Sequence, residues 1–371
     1  MASRFLESID TQIRSTSDAV AADCLRGRKA SYYARQGDVA AAEKIVGELR
    51  ERYSHRPSVE ISAWINLVEG LVEFFKDMNA SALDRFRRSH ALAVASRNYS
   101  LEALAGAWIA HFEFGRHEIS KMRLLLERSL QCTSYDDHAA LARVSLVCAV
   151  ALHLAGRYDL ARPWYRDARL HANAESDDAT ISALMFNLAS MAIMNLRQSI
   201  LGGVDLGASV DALAEIDSAG AYDEMIGAIS LDSTVPILQA NAMALRDRFP
   251  EALRLYTDYR DRASAQGMGK LMSYIEADMA WCMLRLGQVA EARATALSAR
   301  SSLEEPGKMD IDDYAAAHSR LAQIFAELGL SAEAESHAEI ASDAWQRFSS
   351  LQKKILSAIN SLPKPPAATS P

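Results

Sequence analysis

The stretch AVALHLAGRYDLARPWYRDA (149–168) decides the fold. A small residue, Ala149, is followed twelve positions later by a second, Ala161, with Gly156 between them and Tyr158 two places after the glycine. Apolar residues on both sides of that glycine recur at helical spacing. Glycine tolerates the left-handed backbone that ends a helix. Two small residues on facing helices let the axes approach closely, and the aromatic residue after the turn plugs the junction. The stretch reads as a helical hairpin.

The same frame recurs along the chain, and internal repetition is the signal that matters most for architecture. It places Ala30 against Ala42, Gly70 against Ala82, Ala240 against Ala252, Ala280 against Ala292 and Ala322 against Ala334. Trp108 and Ser120 fit it with a large first residue. The turn carries Gly37, Asp77, Gly115, Asp247, Gly287 or Gly329, often followed two places on by an apolar plug such as Val39, Phe249 or Val289. These features resemble the tetratricopeptide repeat. Gly156, Tyr158, Ala161, Tyr165 and Ala168 fall on that family's turn glycine, plug and second-helix positions. The family's first-helix tryptophan and leucine are mostly missing, as is its closing proline. Successive units repeat with a period near 40 residues, which resembles the longer arrays of MalT-like and Rap-like regulators.

The resemblance implies an all-α, right-handed superhelical solenoid of about eight antiparallel helix pairs, a single unit over 1–362. One hairpin, about 178–231, is irregular: its small residues, Ala189 and Ala212, are 23 apart. About eleven extra residues fall in 197–207, RQSILGGVDLG. They are either a small apolar interaction knob or a first helix lengthened by two turns before a loop. The frame also predicts a lone helix over 3–14, a capping helix over 351–362 to cover the exposed end of the array, and a disordered tail, PKPPAATSP, over 363–371.

Composition narrows the function. The net charge is −8 and no Lys/Arg run forms a basic stripe. Nucleic acid and anionic membrane surfaces are therefore poor ligands, because phosphate neutralisation supplies most of such affinity. No 18-residue apolar run or secretory leader stands out, which gives a cytoplasmic expectation. Cys24, Cys132, Cys148 and Cys282 are scattered and read as core or half-buried thiols of a reducing compartment. No phosphate loop, metalloprotease motif, nucleophile elbow or dinucleotide loop is present. The histidines show no ligand spacing. Asp136–Asp137 and Asp312–Asp313 recur at helix starts, where capping explains them better than a catalytic dyad. The expectation is a non-enzymatic protein without metal or cofactor.

In the family it resembles, the first helices line a concave binding face. Carried over repeat by repeat, that face offers Trp64, Leu67, Leu71 and Phe74, then Ile109 and Phe112, then Arg143 and His153. Later repeats offer Asn241, then Tyr274, Trp281 and Arg285. The first half is apolar and aromatic and suits an amphipathic helix or apolar peptide; equally, these side chains pack between neighbouring helices. The family's carboxylate clamp is missing, because Ile237 and Asp278 stand where its other polar residues would be. The expected partner is a protein or peptide, in a scaffold or adaptor. A sensing regulator acting on a separate effector and a homodimer are the alternatives.

Overall fold

The computed structural model describes residues 3–78, 80–204, 212–228, 233–303 and 309–366. Among them the chain is all-α. A lone helix α1 (Arg4–Ser15) leads into the pairs α2 (Ala19–Gln36) with α3 (Val39–Arg52), α4 (Val59–Asp77) with α5 (Ala82–Ala95), and α6 (Tyr99–Gly115) with α7 (Ile119–Cys132). There follow α8 (His138–Leu154) with α9 (Tyr158–Ala174), α10 (Asp178–Gly202) with α11 (Ala212–Ile226), and α12 (Thr234–Ala244) with α13 (Phe249–Ala265). The last pairs are α14 (Met272–Arg285) with α15 (Val289–Leu303), and α16 (Ile311–Glu327) with α17 (Ser331–Asn360).

The hairpins form where the sequence frame puts them. Ala30, Ala42, Ala149, Ala161, Ala240, Ala252, Ala280 and Ala292 are all fully buried at the crossings. A Cβ on Gly70 would lie 2.9 Å from the Phe86 ring, so glycine is what lets α5 sit against α4 there. Gly37, Gly156, Asp247, Gly287 and Gly329 take the left-handed conformation that ends their first helices. Two turns differ. Asp77 and Gly115 are the last helical residues of α4 and α6, and Met78 and His117 carry the positive φ instead.

In the irregular hairpin α10 runs 25 residues, Asp178–Gly202, so that 197–202 of the expected insertion are helical. Residues 205–207 of the expected insertion lie outside the described residues. The separate capping helix is absent as such. Residues 351–360 continue α17, a single helix of 30 residues. No helix breaker interrupts it near Leu351, and Phe348, Leu351, Ile355 and Ile359 form one buried stripe along it. That stripe joins the core built by α8 and α9. Of the tail, 367–371 lie outside the described residues.

The first helices curl into two turns that share α10. In the first, α2, α4, α6, α8 and α10 pack in succession, and α10 returns to α2: Arg35 meets the N-cap residue Asp177 at 2.8 Å. In the second, α10, α12, α14 and α16 do the same, and α16 returns to α10 through Arg197. Helix α10 is long and apolar enough to cross a membrane by length and composition; here it packs against both turns, with Ile200 left exposed. The turns are stacked. Gln352 of α17 donates to the Leu154 carbonyl at 2.8 Å and Asn195 to that of His153 at 3.1 Å, closing the end of α8.

Candidate functional site

Curling changes what the concave face is. In the first turn the inward side chains of α2, α4, α6, α8 and α10 meet around a cavity of about 50 Å³, with Phe5 of α1 at one side. Its walls are Trp64, Leu67 and Leu71 of α4, Leu104 and Trp108 of α6, and Leu146 of α8. Local sequence sets this up. A Cβ on Gly27 would stand 2.7 Å from Trp64, so the glycine in α2 makes room for the indole. The Phe86 ring of the outer helix α5 stacks on Trp108, centroids 5.4 Å apart.

Three arginines reach this apolar space. Arg28 pairs with Glu175, and Arg35 pairs with Asp177 and also donates to Thr180. Arg143 has no acidic partner among the described residues. Its guanidinium lies 3.5 Å from the centroid of the Trp108 ring, and its Nε and Nη2 atoms are buried without a hydrogen-bond acceptor. Burial, followed by the nearby Arg35 charge, brings its pKa down to about 9, so it remains a cation at neutral pH. The indole Nε1 of Trp64 is likewise buried without an acceptor.

On one side this cavity meets a vestibule of about 540 Å³ at the N-terminal ends of the first helices. Arg28, Trp64, Leu104, Ala139 and Glu175 line both spaces. Glu60, Asp136 and Asp137 make the vestibule acidic.

The axis of the second turn carries paired charges. Arg197 bonds Asp312 and Asp313, each at 2.6 Å, and stacks on Tyr274. Arg320 bonds Asp278 at 2.8 Å and lies over Trp281. Tyr256 donates to Asn241 at 2.6 Å. The Asp312–Asp313 pair therefore serves as the counter-charge of a buried arginine rather than as a helix cap; the N-cap position is Asp310, whose side chain caps nothing. Burial, aided by Asp312 and opposed by Arg197, pushes Asp313 up to about 6. Of the expected pair Asp136–Asp137, Asp137 turns to Ser134; at the start of α10, by contrast, Asp177 accepts from the Thr180 amide.

The residues expected on an open face thus lie mostly inside. Leu67, Leu71 and Tyr274 are fully buried; Trp64, Ile109, His153 and Asn241 are buried. The cause is the tight curl, which brings the first helices of each turn together around its axis. His153 bonds Tyr165 across its own hairpin at 3.2 Å, and burial holds it down to about 4. Phe74, Phe112, Arg143 and Trp281 are half-buried, and Arg285 is exposed, paired with Glu327 at 3.1 Å. Sequence reasoning placed Arg143 on this face but did not see that it lacks an acid. The free cation follows from which helices meet, information that the repeat frame does not hold.

The hairpin of α8 and α9, which carries the arginine, has a counterpart in a known family. Residues 142–167 match a family model of the tetratricopeptide repeat. Arg143 is the second residue of the matched segment, and Tyr165, the partner of His153, lies near its end. A comparison with curated proteins finds no match to the chain.

Proposed function

We propose that this protein is a non-enzymatic binding module that recruits a protein or peptide partner. The run of hairpins on one frame carries the reading, since one of them matches the tetratricopeptide repeat and such repeats generally mediate protein–protein contacts. The state of the thiols is in keeping with it. Burial pushes Cys24 and Cys132 up to about 11 and Cys282 up to about 12, so none is a ready nucleophile at neutral pH. Four unpaired thiols also support a reducing, cytoplasmic setting. The period near 40 residues supports a place among the longer-period arrays.

A partner would bear on the concave-face residues that keep exposed surface, Phe74, Phe112, Trp281 and Arg285. The test is affinity capture with wild type and a Phe112→Glu/Arg285→Glu variant of equal melting temperature. A partner held by wild type and lost by the variant supports the reading. Equal retention moves the contact elsewhere, for which the outer helices α5, α7 and α9 expose Val94, Leu124 and Leu170.

One observation favours a second reading, a ligand-responsive regulator acting on a separate effector. The concave side of the first turn is closed around a cavity that holds an unneutralised arginine. A small ligand there would touch every first helix of that turn, and so bias its curl.

A further inference from the structure

We propose that the cavity of the first turn is a binding site for a small monocarboxylate, held by Arg143 and the indole N–H of Trp64. The proposal rests on the ligand-responsive reading and gives that ligand a chemistry. The unsatisfied buried groups on the cavity wall are all donors: Nε and Nη2 of Arg143 and Nε1 of Trp64. Nε and Nη2 are the two parallel donors on one edge of the guanidinium, the pair that grips both oxygens of a carboxylate.

Charge points the same way. Arg28 and Arg35 are neutralised by Glu175 and Asp177, which leaves one surplus positive charge, that of Arg143. Water would supply acceptors but no counter-charge, and an unpaired charge whose Nε and Nη2 are out of solvent costs more than an unpaired dipole. The walls choose among anions. The alkyl end of an organic acid fits against Leu67, Leu71, Leu104 and Leu146. Other donors on the wall, Arg28, Arg35, Ser31 and Thr180, are already bonded to Glu175, Asp177, the Arg28 carbonyl and Asp177, which leaves little for a polyanion's remaining oxygens. Size limits the acid: about 50 Å³ holds roughly four atoms of water size, which is the range of acetate and propionate. The entrance is the vestibule, past the Arg28–Glu175 pair and the Trp64 edge that both spaces share.

Sodium propionate is the probe, with sodium chloride and 1-propanol as controls, added to the full chain while melting temperature and tryptophan fluorescence are recorded. Wild type should gain about 3 °C at roughly 100 times Kd, with a saturable change in indole emission. Neither control should reproduce this. Arg143→Met should melt no lower than wild type by itself and should not respond to propionate, while Arg143→Lys, which keeps the charge and loses the paired donors, should bind about tenfold more weakly. Trp64→Phe keeps the wall and removes one donor, so weaker binding by this variant supports the site independently.

The site is overturned if propionate has no saturable effect on wild type, if 1-propanol or chloride has the same effect, or if Arg143→Met responds as wild type does. Saturable binding that leaves hydrodynamic radius and partner capture unchanged establishes the site and removes the regulatory reading instead.

Discussion

Both turns of the superhelix bring arginine to their axis, buried in the second and half-buried in the first, and they treat it in opposite ways. In the second turn Arg197 has two carboxylates and Arg320 has one, all supplied by α14 and α16. In the first turn Arg143 has an indole face and, among the described residues, no acid. A chain that supplies its own counter-charge locks the turn, because each of these cations is paired with a carboxylate that must stay put. A chain that withholds it leaves a place for something else. The two axes therefore differ less in packing than in who provides the anion.

The comparison breaks most readily at Arg197. Replacing it by Met leaves Asp312 and Asp313 buried with no cation, which should cost about 3–5 kcal/mol in urea unfolding. The same change at Arg143 removes an uncompensated charge and should cost little. Equal losses at the two positions would refute the contrast. Next in size, Leu71→Ala should cost about 3 kcal/mol, since Leu71 is fully buried and its removal enlarges a cavity. If the first turn is a ligand chamber, that variant should also shift preference from propionate toward a longer acid such as hexanoate. No change in preference would sharpen the picture against a chamber of fixed shape.

Acid should act on both turns. His153 and His318 are each held down to about 4 by burial, with His337 adding for the second. An unfolded histidine takes up its proton near pH 6.5, well before these two do in the fold. As pH falls from 6.5 toward 4 the unfolded state therefore gains protons that the native state refuses, and stability drops; below about 4 the slope should flatten. Asp313, raised to about 6, works the other way in the second turn only. Thermal melts between pH 7 and 4.5 should show a gentler slope for His153→Gln than for wild type. The smallest effect is expected at Arg285→Ala, whose exposed pair with Glu327 should be worth no more than about 0.5 kcal/mol.

The local parts of this fold were legible because each hairpin is written in neighbouring residues. Ala149, Gly156, Tyr158 and Ala161 specify a crossing and a turn without help from elsewhere. Asp77 and Gly115 misled by one or two positions because any residue at the turn can be driven left-handed once the flanking helices are packed, as Met78 and His117 are. What the sequence concealed was the radius of the curl. Leu67 and Leu71 look alike whether they face a groove or a closed axis, and only the return of α10 to α2 decides between them. Arg143 without an acid and Arg197 with two are likewise the same residue type in similar surroundings. Their difference rests on contacts such as Arg197–Asp312 that span 115 positions.

The 30-residue α17 has a further effect, on how the chain folds. In an open array each unit touches only its neighbours, so ends fray and units form independently. Here the far half of the last helix lies on α8, with Gln352 reaching a carbonyl 198 residues earlier in the chain. Such a contact cannot form until both turns have taken shape, and loops of that length are slow to close. The last helix acts as a latch across the whole assembly: its docking should come late in folding, and its release should be the step that lets the rest unwind.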